Sequence, residues 1–179
     1  MLDFLKSDED AIVLLKSDHD KVKDLFDQFE KAETLEQKRQ IALDAINELR
    51  VHAIIEEQIF YPSMRRKSVD KDLMNEADEE HHVAKLIIGE LATMDGTEEH
   101  FDAKFKVLAE NIRHHIKEEE NELFPKCRAT DTDFVALGKK LQSKKQDLLT
   151  NGIPVNAEEL LMAENGVHDS SAEAALKAA

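Results

Sequence analysis

The sequence predicts an all-α fold: an antiparallel, up-down four-helix bundle with an additional C-terminal helix. Three observations point there. The chain has 179 residues but only five Gly and three Pro to interrupt it, and Leu, Ala, Glu, Lys and Asp dominate, as in long helices joined by short loops. Four stretches carry apolar residues at steps of three and four, the spacing that lines one face of an α-helix. The sequence also repeats itself, as two helical hairpins of one design would.

The first helix is expected from about Asp8 to Lys31, with Ile12, Leu15, His19, Val22, Phe26 and Phe29 on its inner seam. The second runs from about Leu35 to Tyr61, with Ala45, Leu49, His52, Glu56 and Ile59 on its seam. Thr34 and Gln37 before it have the spacing of a capping box, which satisfies the orphan amides of a first turn. The third runs from about Val69 to Thr93 and stops at Asp95-Gly96; its seam is Ala77, His81, Ala84, Ile88 and Leu91. Thr97, Glu98 and Glu99 suit the start of a fourth helix, because acids in the first turn complement the helix dipole. That helix reaches about Lys126, with Phe101, Phe105, Leu108, Ile112, His115 and Glu119 inward. A fifth amphipathic stretch, Asp133 to Leu149, places Phe134, Leu137, Leu141 and Leu148 on one side and is expected to pack outside the four. One domain therefore spans residues 1–150. Residues 151–179, with Leu160, Leu161 and a Ser/Ala-rich end, form a peripheral or mobile tail.

The repeat is local and specific. His52, Glu56 and Pro62 in the first half match His115, Glu119 and Pro125 in the second, at the same offsets of four and ten. Each segment follows a helix bearing an acid-His pair, Asp18-His19 or Glu80-His81.

Composition narrows the chemistry. A net charge of −15 and a pI near 4.9 disfavour nucleic acid or an anionic membrane surface as partners. No apolar run approaches the roughly 20 residues of a membrane span, and Met1-Leu2-Asp3-Phe4 lacks the features of a signal peptide, so a cytoplasmic location is expected. Cys127 is the single cysteine, which leaves His and carboxylate as metal donors.

Each of the four helices thus puts a His in its apolar stripe, and two add a Glu one turn later. Four imidazoles and two carboxylates at similar depth need explaining, because a buried ionised carboxylate is costly unless paired with a cation. His19, His52, Glu56, His81, His115 and Glu119 are therefore the candidate ligands of a metal pair, with His19 and His52 on one ion and His81 and His115 on the other. Imidazole with carboxylate suits iron, manganese or zinc, and facing helices of a bundle are where paired iron sites are built. Six protein ligands leave positions open for O₂, nitric oxide, peroxide or water.

Neighbouring residues are assigned by the same seam. A constant offset from the first half would select His82 over His81, but aligning His81 with His19 places Glu80 under Asp18 and Ala84 under Val22. His114, Glu57, Glu118 and Glu120 fall one position off the seam and are read as solvated or supporting groups. Tyr61 is read as a structural ring near the bundle end, His100 and His168 as surface residues, and Cys127 as an idle thiol. The acidic runs 78–80 and 118–120 are read as solvated faces apart from Glu119.

A lone His, then His-x-x-x-Glu before Phe-Tyr-Pro, then Glu-His, then His-x-x-x-Glu before Leu-Phe-Pro resembles the bacterial hemerythrin HHE cation-binding domain over residues 8–126. The resemblance implies a hemerythrin-like bundle holding two non-haem iron ions, oxo- or hydroxo-bridged. It also implies a role in binding or sensing O₂ or nitric oxide, in iron handling, or in peroxide and stress responses. The oxygen-carrying members place a further His where this chain has Lys85, and their last acid lies five residues after its His instead of four. The expected function is a di-iron binding protein; the alternative is a di-iron enzyme acting on peroxide or ferrous iron, catalase-like or ferroxidase-like.

Overall fold

A computed structural model describes residues 10–155. Expectations about Asp8, Leu160, Leu161 and His168 lie outside the described residues. Among those described the protein is all-helical: α1 (Ala11–Lys31), α2 (Leu35–Ile55), α3 (Tyr61–Arg66), α4 (Lys71–Ala92), α5 (Phe101–Glu118), α6 (Phe124–Arg128) and α7 (Phe134–Asn151). Two π-helical turns, π1 (Glu56–Phe60) and π2 (Glu119–Leu123), join α2 to α3 and α5 to α6. The described residues thus form five rods, four in an antiparallel bundle and α7 laid against α1 and α2.

The starts of the helices follow their side chains. Asp10 accepts from the amides of Ile12 and Val13, Asp70 from those of Asp72 and Leu73, and Asp133 from Ala136. The Thr34–Gln37 capping box is complete, with both reciprocal bonds at 3.2 Å. The fourth rod starts four residues later than Thr97. Asp95 accepts from both the amide and the hydroxyl of Thr97, and Glu98 folds back onto the amides of Asp95 and Gly96. Those side chains compete with the helix for the local backbone donors and hold a turn instead. Gly96 sits at φ +89°, which favours glycine.

The π turns have a covalent cause. Pro62 and Pro125 offer no amide hydrogen, and a proline ring inside an α-helix collides with the carbonyl four residues back. One widened turn places each Pro in the first turn of the next helix, where no donor is required. Tyr61 then donates its amide to the Glu56 carbonyl, and Phe124 to that of Glu119.

Two apolar clusters fill the interior. One gathers Leu14, Leu15, Ile55, Phe60, Met64, Met74, Phe124 and Leu141; the other gathers Phe26, Phe29, Ile46, Leu91, Phe105 and Leu108. In the second, Phe29 stacks on Phe105 with ring centroids 4.0 Å apart. Between them lies a layer of buried polar groups.

Candidate metal centre

The buried polar layer consists of Asp18, His19, His52, Glu56, His81, His115 and Glu119, each no more than 7 % exposed. The structure brings together all six residues singled out by the seam. His19 Nε2 lies 3.2 Å from His52 Nε2 and 3.2 Å from Glu119 Oε2, and His52 Nε2 lies 3.2 Å from Glu56 Oε2. In the other half His81 Nε2 lies 3.1 Å from His115 Nε2 and 3.4 Å from Glu56 Oε2, and His115 Nε2 lies 3.5 Å from Glu119 Oε2. Glu56 and Glu119 therefore each face both histidine pairs. His82, one position further along α4, is exposed.

The outer ring nitrogens meet a second tier of carboxylates. His19 Nδ1 is 2.9 Å from Glu120, His81 Nδ1 is 2.9 Å from Glu57, and His115 Nδ1 is 2.6 Å from Glu80. His52 Nδ1 has Asp18 at 3.6 Å, too far for a hydrogen bond. Each Nδ1–H directed at a carboxylate orients its ring and turns the Nε2 lone pair inward. Two such lone pairs at 3.1–3.2 Å repel unless a cation, a proton or a metal ion, stands between them.

Sequence reasoning underestimated this tier. Glu57, Glu80 and Glu120 belong to runs read as solvated or supporting, yet each holds a histidine. Part of the signal was available: four of the six seam donors have an acid beside them, in Asp18-His19, Glu56-Glu57, Glu80-His81 and Glu119-Glu120, whereas His52 and His115 do not. Glu118 and His114 pair with each other at 3.2 Å on the surface and stay away from the inner donors.

Tyr61 is more than a structural ring. Its hydroxyl donates to Glu119 Oε1 at 2.8 Å and lies 3.3 Å from His81 Nε2. Burial pushes this phenol well above 10.0, and the Glu119 and Glu56 charges push it further, so it stays a donor. Cys127 is fully buried, and burial pushes its thiol up to about 12, which fits an unreactive role.

The charges are interlocked. Burial pushes the His81 ring down, but Glu56, Glu57 and Glu119 outweigh it and hold the ring at about 10. Burial likewise opposes charge on His19, and Glu119, Glu56 and Glu120 reverse the sign. Burial raises Asp18 and Glu57, but His52 and Lys145 hold the first below its ordinary value and His81 and Lys85 the second. His81 ion-pairs with Glu57, and Glu57 with Lys85 at 2.7 Å, so Lys85 braces the carboxylate that orients His81.

The donor set fits metal. Glu56 Oε1 and Glu119 Oε2 are buried without a hydrogen-bond partner, and orphaned carboxylate oxygens of this kind are costly without a cation. Donor atoms 3.1–3.5 Å apart are also spaced as adjacent ligands of one ion with bonds of about 2.1 Å would be.

Comparison with known proteins decides the family. The sequence profile described as "Hemerythrin HHE cation binding domain" matches residues 10–127. The chain belongs to this family. It is a metal-binding protein of the HHE class, and iron is the metal that membership indicates. A crystal structure of a hemerythrin HHE cation-binding domain-containing protein from Mycobacterium kansasii superposes with a TM-score of 0.67, over 86 % of this chain and 99 % of that one, at 22 % identity. A protein of Nostoc sp. named "DNA nickase" is 23 % identical over 148 residues, which are 78 % of this chain and 42 % of the nickase. The HHE chain thus spans less than half of that relative. No described helix is long and apolar enough to cross a membrane.

Proposed function

We propose that the protein holds two iron ions, one between His19 and His52 and one between His81 and His115, with Glu56 and Glu119 shared. The observation that carries this reading is the paired short Nε2 contacts, 3.2 and 3.1 Å, each facing both buried carboxylates. When bound, iron supplies open positions and one-electron chemistry for a small ligand such as O₂, nitric oxide or peroxide. The chain's own groups keep the imidazoles oriented through Glu120, Glu57 and Glu80, and the two apolar clusters exclude water from above and below. Manganese and zinc suit the same donors and are the alternatives that metal analysis distinguishes.

Reversible binding or sensing of the small ligand is the main reading. Turnover of peroxide or ferrous iron is the second, favoured by the Tyr61 hydroxyl, a proton donor held against Glu119. Metal analysis of protein expressed with ample iron, combined with absorption spectra before and after nitric oxide or peroxide, tests both. About two irons per chain and a spectral change on nitric oxide are expected; protein without bound metal would sink the proposal.

A further inference from the structure

A cavity of about 240 Å³ lies against all four histidines and runs out between α2 and α4. Its inner wall is aliphatic: Val22, Leu49, Ala84, Ile88, Ile112 and Ile116. A water molecule occupies about 30 Å³ and an apolar cavity of about 150 Å³ holds benzene, so the space is several times what a diatomic ligand fills. Where it meets solvent the partly exposed Arg50 and Lys85 line it, two cations at one opening of a chain whose net charge is −15. Pro154 and Val155, just beyond α7, line the same opening.

We propose that this cavity binds a small organic carboxylate, with an aliphatic body of about six to eight carbons against the inner wall and its head group at Lys85 and Arg50. The size of the space and the aliphatic wall argue for the body. The ammonium argues for the head: Lys85 Nζ sits 2.7–2.8 Å from both oxygens of Glu57, and with three donors it can bond a second acceptor. Glu57 and Asp18 also line the cavity and oppose an anion. Asp18 is already paired with Lys145, and the head group would share the Lys85 ammonium with Glu57. A guest here would share the space through which a small ligand reaches the histidines. The proposal goes beyond the metal reading and stands without it, since it rests on the cavity wall.

Calorimetric titration of the full chain, iron-loaded and metal-free, with hexanoate, heptanoate, octanoate and octanol tests it, with iron content measured separately. Each added methylene is expected to tighten binding about fourfold, and octanol to bind about tenfold more weakly than octanoate. Ala84→Phe, which fills the inner wall, is expected to abolish binding. Absence of binding by octanoate, affinity independent of chain length, or octanol binding as tightly as octanoate would each overturn the proposal. The chain-length series needs no variant and so survives if Ala84→Phe fails to fold.

Discussion

At His19 the ring stacks flat on Phe124, 5.8 Å between centroids and 4° from parallel; at the matching place in the other half, His81 meets Tyr61, tilted by 40° at 5.4 Å. Tyr61 and Phe124 both lie nine residues after a seam histidine, so one hydroxyl is the difference between them. The supports differ too. Glu80 reaches His115 Nδ1 at 2.6 Å, whereas Asp18, one carbon shorter, stops 3.6 Å from His52 Nδ1 and is held from behind by Lys145 of α7. The two half-sites therefore share inner donors but not their surroundings: the first stacks on a phenyl ring and is braced by the fifth helix, the second carries the Tyr61 hydroxyl and the Lys85–Glu57 pair.

The largest effects should come from what the halves share. Glu119→Ala removes an oxygen 3.2 Å from His19 Nε2 and 3.5 Å from His115 Nε2. It is expected to lower iron content from about two per chain to below one. His52→Ala should lose about one ion and leave the other half loaded. Equal loss in the two variants, read by elemental analysis, would mean that the halves do not fill independently.

The seam predicted the six inner donors because burial imposes a period on helices, and the choice of His81 over His82 followed from that period. The outer tier was harder to read for a physical reason. In a regular helix adjacent residues point about 100° apart, so Glu57 and Glu120 looked solvent-facing, although each reaches a histidine on a neighbouring rod. The paired prolines were visible, but their consequence, a π turn beginning at each shared Glu, is a backbone accommodation that the periodic pattern does not encode. Lys145 could not be assigned to Asp18 at all without the packing of α7, since 127 residues separate them.

The hydroxyl asymmetry is the next test. Tyr61→Phe makes the two halves alike and removes a buried hydrogen bond to a charged carboxylate, a loss of about 1.5–3 kcal/mol. Metal content should stay near wild type, while denaturant stability falls and, on the enzyme reading, peroxide turnover falls with it. Unchanged turnover in Tyr61→Phe would remove the proton-donor role.

The smallest expected effect lies at the helix ends, where the halves again differ. Asp10 caps α1 and pairs with Arg128, and Asp70 caps α4 and pairs with Lys126 at 2.6 Å, so the opening helix of each hairpin is tied to α6. Asp10→Ala loses the cap, worth about 1 kcal/mol. Slight burial raises the Asp10 carboxyl, but Arg128 and the amides of Ile12 and Val13 outweigh it and hold the group below 3.8. A carboxylate depressed in the folded state stabilises fully above its unfolded value and loses that contribution as pH falls through its folded value. The stability gap between wild type and Asp10→Ala, measured by urea unfolding, should therefore be constant from neutral pH down to about 4 and narrow only below it. A gap that instead vanished between pH 7 and 5 would place the loss on the histidine layer, and α1 would then be held by its half-site and not by its cap.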